Sequence, residues 1–484
     1  MQHSYQHLAQ QLRADIQSGA LAPGQRMPSV RVLARQHAVS VSTAVRCYRW
    51  LEVQGWVQAR AKSGVFVADW KARRPAAAGA SAQRAAQAAA VAHPVEFARL
   101  ASPQHRMTEL YALTSQPLRL GLHLASAAPQ WYPCEALSNL GQRLLRSEPL
   151  ALGTYPTGQG DPALVRALLP WLHGLGLELE AGELLITQGS TEALSVALRA
   201  TTRAGDAVVV ESPVYFGLLQ MLDNLGLRAI EVPCTPSGGL SMEALEYALE
   251  HQGEVRAIVT MPSFQNPLGC AMPDAAKRRL LRLAEQHDLA LIEDDVFGDL
   301  SPAAQRPTPL KAWDRHGRVV YCGSCSKSLA PGLRVGWVAG GRWHSRMASL
   351  KISQSLVTPL LEQRMLAAYL QSGALAPHLR RLREALAAGA APALQAVARH
   401  FPLGTEVISS AGGWWLWLAL PAGVDAMALL RLSVARGIAF TPGSLFSASG
   451  KFAHCLRLNI ARPWGVEMEE GFVELGAMAR TLAV

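Results

Sequence analysis

Charge is scarce in this 484-residue chain, and membrane-length apolar runs are missing. Only 17% of the residues are charged while half are hydrophobic, so a large buried core is available. No uninterrupted apolar stretch reaches bilayer-spanning length, and Met1-Gln2-His3 opens no signal peptide. Both absences predict a cytoplasmic chain with no membrane part. The seven cysteines are odd in number and scattered, and the close pair Cys322 and Cys325 sits just before a lysine motif where a thiol pair would interfere. Neither a disulfide framework nor a metal site is therefore expected, and reduced thiols fit the cytoplasm. The length suits two or three domains.

Acidic residues are few at the start. Residues 1–74 hold eleven basic side chains against Asp15, Glu52 and Asp69, a local charge of +8 out of +10 for the whole chain. A basic module of this kind points to a polyanionic partner. Its pattern reads as a helix over Tyr5–Ser18, a second from Ser29 to His37, a third from Ser42 or Thr43 to Gly55, and a hairpin over Trp56–Val67. Leu8, Leu12 and Ile16 face inward from the first helix, and Val45, Tyr48, Trp50 and Leu51 from the third. Three helices and a hairpin make a winged helix-turn-helix. Ser42, Thr43, Arg46 and Arg49 on the third helix, with Lys62 and Gly64 at the wing, suit phosphates and base edges of double-stranded DNA. A small basic helical domain that binds protein is the alternative.

Large apolar residues are missing next. From Lys71 to about His93, Ala, Gln and Arg dominate and nothing repeats on one face, so the expectation is a flexible tether with some helical tendency. The predicted boundaries are 1–70 for the winged helix, 71–94 for the linker and 95–484 for a large α/β domain. Beyond Leu118, short apolar strands alternate with helices, which argues a mostly parallel sheet with helices on both faces and ligands at its carboxyl ends.

The motifs fall at those ends. Gln188-Gly189-Ser190-Thr191-Glu192 opens a helix and forms either a phosphate seat or a bare capping box. Tyr215 can stack on a ring or pack in the core, and Asn266 can donate to a phenolate or only turn the chain at Pro267. Asp294 ends a buried strand, where a carboxylate is costly without a partner. Ser324-Cys-Ser-Lys327-Ser-Leu-Ala-Pro-Gly-Leu-Arg334-Val-Gly sets one lysine among hydroxyls, with an arginine seven residues on. A partly buried lysine near positive charge becomes a nucleophile, and serines with an arginine suit a phosphate. Together they suggest a Schiff-base lysine holding pyridoxal 5'-phosphate.

This last stretch resembles the cofactor-lysine motif of fold-type I aminotransferases, and the order of motifs resembles that domain over roughly Leu118–Ala483. The likeness implies that Lys327 is the catalytic lysine forming the aldimine and that Asp294 pairs with the pyridine nitrogen. It implies that Asn266 bonds the phenolate oxygen and that Tyr215 stacks on the ring. It gives Ser190, Thr191, Ser324 and Arg334 to the phosphate and Arg457 to a substrate or effector carboxylate. Tyr155, in Tyr155-Pro-Thr-Gly-Gln-Gly160, is implied to reach the cofactor phosphate of a neighbouring subunit, hence a homodimer. Phe297 departs from the pattern, since many relatives carry a tyrosine there whose hydroxyl also bonds the phenolate oxygen. The stretches Leu21–Ala34 and Val39–Trp56 resemble a GntR-type winged helix, which implies DNA contacts from Arg31, Ser40, Ser42, Thr43, Arg46 and Gly64. Val41 stands where many relatives have a basic residue.

The whole architecture is similar to the MocR subfamily of bacterial transcription regulators. It implies a homodimeric regulator that binds operator DNA and senses an amino compound by exchange at Lys327. An active aminotransferase carrying a DNA-binding module is the alternative reading.

Overall fold

The computed structural model describes residues 5–18, 20–22, 24–37, 39, 41–53, 56–60, 64–68, 99–100, 104–156, 158–302, 306–408 and 414–483. They fall into two compact units, Met1–Ala92 and His93–Val484.

In the first unit, α1 (Tyr5–Ser18), α2 (Val30–Gln36) and α3 (Val41–Val53) precede β1 (Val57–Arg60) and β2 (Gly64–Val67). Ser29 caps α2, its hydroxyl accepting from the Val32 N–H, which satisfies a donor the helix cannot use internally. The strands pair antiparallel from Val57↔Val67 to Arg60↔Gly64. Leu8, Leu12 and Ile16 are buried, as their helical spacing demands. On α3 the expected Tyr48 and Leu51 are buried and are joined by Ala44 and Cys47, while Val45 is only half-buried and the Trp50 side chain lies outside the described residues. The small Ala44 and Cys47 let α3 approach α1 and α2 closely. The Tyr48 hydroxyl donates to the Pro28 carbonyl at 2.6 Å, tying α3 to the start of α2. The tether expected over Lys71–His93 lies outside the described residues.

The second unit is built on one sheet. Among the described residues, eight of its nine strands are β3 (Arg99–Leu100), β4 (Leu184–Thr187), β5 (Ala207–Ser212), β6 (Arg228–Thr235), β7 (Val255–Thr260), β8 (Ala290–Asp295), β9 (Val319–Ser324) and β10 (Gly336–Ala339), and the short ninth, Gly239–Leu240, pairs with β6 alone. Their order is β3-β6-β5-β7-β8-β9-β10-β4. The central pairings, β6-β5-β7-β8-β9, are parallel. β10 runs antiparallel to both β9 and β4, so β4 points the same way as the centre. All these carboxyl ends therefore share one edge. Side chains alternate faces and both faces are covered: Val209, Ile258, Leu291 and Val319 enter one core while Val208, Val210, Val259 and Ile292 enter the other. That is why the strands read as uninterrupted apolar runs.

Helices α4 (Gly189–Thr201) and α5 (His344–Ser355) pack on each other beside the sheet. A smaller antiparallel sheet holds β11 (Trp415–Ala419) and β12 (Cys455–Asn459), with Trp417 opposite Arg457. In the structure β3 closes the sheet edge against β6, and Gln104–Thr114 is helical.

Candidate functional site

The turn from β4 into α4 is made of peptides that leave no room for side chains. Gly189 has φ +77°, and a Cβ there would come within 2.5 Å of Arg334 Nη2. A Cβ on Gly336 would meet the Gly189 backbone at 2.5 Å. The guanidinium of Arg334, itself at φ +52°, lies 3.1 Å from Ser326 Oγ and donates to the Gln188 carbonyl at 3.3 Å. Ser324 Oγ lies 2.9 Å from Ser326 Oγ and 3.1 Å from the Val335 carbonyl. Ser190 is half-buried and Thr191 exposed at the first turn of α4. An arginine, several hydroxyls and a helix N-terminus thus converge, a set suited to a phosphate.

At the end of β8, Asp294 is buried and its Oδ1 has no hydrogen-bond partner. Burial pushes its pKa up to about 7, with Asp295 adding and Lys327 opposing. A buried carboxylate left open in this way fits a cationic ring nitrogen. Tyr215 and Asp294 border one small cavity, and burial drives the Tyr215 phenol up to about 12.

Lys327 follows β9. Burial, then Arg457, brings its amine down to about 8 against the pull of Asp294, so a useful fraction is neutral near physiological pH. Its Nζ lies 5.8 Å from the centre of the Phe297 ring, which packs edge-on to Trp414 and Trp415. Arg457 is buried, and burial lowers it to about 10. It donates to Asn266 Oδ1 at 2.7 Å, to the His123 carbonyl at 2.7 Å and to Thr441 Oγ1 at 3.2 Å, while its Nε keeps no partner. With the Asn266 oxygen occupied, its amide N–H groups are left to donate.

This arrangement can be set beside known proteins. A family model described as bacterial regulatory proteins, gntR family, matches residues 4–67, and one described as aminotransferase class I and II matches residues 128–471. The uncharacterized HTH-type transcriptional regulator YjiR of Escherichia coli (strain K12) is 36% identical over 475 residues, 98% of each chain. The chain belongs to the MocR subfamily of GntR-type regulators. Its large domain is similar to the α-aminoadipate aminotransferase LysN of Thermus thermophilus, with TM-score 0.72 and 29% identity over 79% of this chain and 95% of that one. The kynurenine aminotransferase of Pyrococcus horikoshii, solved with PMP, gives TM-score 0.71 and 29% identity over 78% and 94%.

In this MocR-type chain the large domain is a pyridoxal 5'-phosphate-binding domain, and its residues fit that group. The glycine cradle at Gly189, the open oxygen of Asp294 and the lowered amine of Lys327 are the three observations that say so. Sequence reasoning missed Ser326, the hydroxyl that meets Arg334, because serines 324, 326 and 328 look alike until the turn is folded. It also missed Glu211, buried at the end of β5, which accepts from Thr260 Oγ1 at 2.6 Å and the Met261 N–H at 3.0 Å. A carboxylate just before Ser212-Pro213 was the available signal. Tyr155 is not drawn into this cluster, its side chain being 78% exposed.

On the winged helix, Thr43 is half-buried on α3. Arg31 lies on α2 and Ser42 and Arg46 on α3, with side chains outside the described residues, while Gly64 opens β2. Ser40 and Lys62 lie outside the described residues. Among the described residues no helix is long and apolar enough to cross a membrane, and no cluster of metal-ligating side chains occurs.

Proposed function

We propose that this regulator senses an amino compound at Lys327 and converts its arrival into a change in operator binding. The observation that carries the proposal is the grouping of Lys327, Asp294 and Asn266 at the carboxyl edge of the large sheet with Arg457 of β12 bonded to Asn266, in a chain that also carries a basic winged helix. Bound pyridoxal 5'-phosphate supplies an aldehyde that links reversibly to one primary amine at a time. Lys327 is the amine the chain offers. Asp294 holds the ring nitrogen and Tyr215 its face. Asn266 donates to the phenolate oxygen, and Ser190, Thr191, Ser324 and Arg334 hold the phosphate. Arg457 takes the carboxylate of an amino compound that competes with Lys327. An amino compound taking the place of Lys327 would leave that amine free near Asp294 and Arg457, and the altered charge pattern would bias the balance between two states of different operator affinity.

A homodimer is part of the same reading. Leu150, Leu152 and Tyr155 are 82%, 71% and 78% exposed along one short segment, apolar surface that supports cover by a second copy. Arg31, Ser40, Ser42, Thr43, Arg46, Lys62 and Gly64 are the proposed DNA contacts. Arg46→Ala is expected to cost about 1–3 kcal/mol of operator affinity, read by fluorescence anisotropy at fixed salt. Unchanged affinity would remove Arg46 from the interface.

Phe297 decides how the lysine linkage titrates. It supplies no hydroxyl to the phenolate oxygen and packs edge-on against two tryptophans. Phe297→Tyr is expected to lower the pH midpoint of the bound-cofactor absorbance, because an added donor favours the ionised phenolate. A midpoint that stays put contradicts this placement. The direct test of sensing adds a panel of amino acids to the cofactor-loaded protein and follows absorbance and DNA binding together. Sustained turnover with a keto acid and no effect on DNA would favour an enzyme instead.

A further inference from the structure

Lys351, on α5, is 1% exposed and takes no part in the roles given above. Its Nζ lies 3.2 Å from Glu192 Oε2 and 2.9 Å from Ser355 Oγ, and the Ser355 hydroxyl donates to Glu192 Oε1. Glu192, itself 7% exposed, sits in the first turn of α4, and its Oε2 accepts the Gln188 N–H at 2.6 Å. The Gln188 carbonyl accepts from Arg334 Nη2. The two successive peptides that flank Gln188 are thus each held, the first through its N–H by the Glu192 carboxylate and the second through its carbonyl by the phosphate-seat arginine.

A glutamate in the first turn of a helix caps a loop N–H without help. Here it lies beside a seat for a second anion, where its charge would repel a phosphate. A cation brought from a separate helix removes that conflict and fixes the carboxylate. The pair is also bonded to a hydroxyl and a peptide, the condition under which two buried charges are tolerated. Resting on the reading of the Gly189 turn as the phosphate seat, we propose that Lys351 is a positioning residue for the phosphate end of the site. It neutralises and locks Glu192, which fixes the N–H side of Gln188 and thereby the position of the next peptide, whose carbonyl meets Arg334.

The experiment compares capture of pyridoxal 5'-phosphate with capture of pyridoxal, which lacks the phosphate. Each is trapped on the full-length protein by borohydride and quantified by intact mass across a concentration series. Lys351→Met is expected to raise half-saturation for the phosphorylated aldehyde about tenfold, the size of one charge-assisted contact, and to leave pyridoxal within about twofold. Lys351→Met leaves Glu192 buried without its cation and risks misfolding. The double variant Lys351→Met with Glu192→Ala removes both charges and the tie to Gln188, and it is expected to show the same selective loss. Equal losses for the two aldehydes, or no loss in a folded variant, would overturn the positioning role while leaving the cofactor reading intact. Failure of the unmodified chain to capture either aldehyde would overturn that reading, and this role with it.

Discussion

Lys327→Ala is expected to abolish covalent capture of pyridoxal 5'-phosphate and every response of DNA binding to amino compounds. Lys327 is a buried primary amine that feels both the carboxylate of Asp294, with its open oxygen, and the buried guanidinium of Arg457. Burial brings it to about 8, so deprotonation at neutral pH costs about 1–2 kcal/mol rather than the several an exposed lysine would need. Alanine keeps the glycine cradle, Arg334 and Asp294, so non-covalent uptake persists while the borohydride-stable adduct disappears. Intact mass spectrometry after reduction reads the adduct. Operator binding without added amine is expected to remain, because the winged helix carries its own core. A variant that still answers an amino compound as the parent does would contradict the role of Lys327.

Asp294→Asn is expected to act with opposite signs in the two forms of the protein. In the cofactor-free form the aspartate's pKa is raised from 3.8 to about 7. A raised carboxyl pKa means the folded state binds more protons than the unfolded one across that window. Its stabilising share is complete below about 3.8 and is lost as pH rises through 7, at up to about 1.4 kcal/mol per unit. The neutral amide removes this loss, so the cofactor-free variant is expected to melt higher than the parent above pH 7. Glu211, also raised to about 7 by burial, keeps part of the slope. With cofactor the order reverses, since asparagine offers no charge to a ring cation, and about 3 kcal/mol of binding, roughly a hundredfold, is expected to go. Melting curves at several pH values, with and without pyridoxal 5'-phosphate, read both. A variant less stable than the parent without cofactor at pH 8 would contradict the buried-carboxylate account.

Much of the candidate site is local, and so its residues could be named from the sequence. Ser324 to Arg334 spans one strand end and one turn, and Asp294 and Asn266 each end or follow a strand whose apolar run marks it. The parallel sheet was legible too, because Val208 to Val210 and Leu291 to Ile292 are apolar on both faces. What stayed hidden depends on distance along the chain. Lys351 meets Glu192 across 159 residues, and Arg457 meets Asn266 across 191. No spacing rule connects such pairs. On α3 Tyr48 and Leu51 face inward as their spacing implied, but Ala44 and Cys47 were passed over in favour of the larger Val45, whereas close helix approach selects the small residues. Resemblance to a family supplied Arg457 and Tyr155, which the pattern alone does not single out.

The central claim is that occupancy at Lys327 and operator affinity are one coupled equilibrium. It is tested most directly by titrating the cofactor-loaded protein with an amino compound that shifts its absorbance, while recording operator binding in the same samples at fixed salt. The expected result is that both signals move with the same half-saturation. Absorbance that shifts to completion while operator affinity stays constant would contradict it.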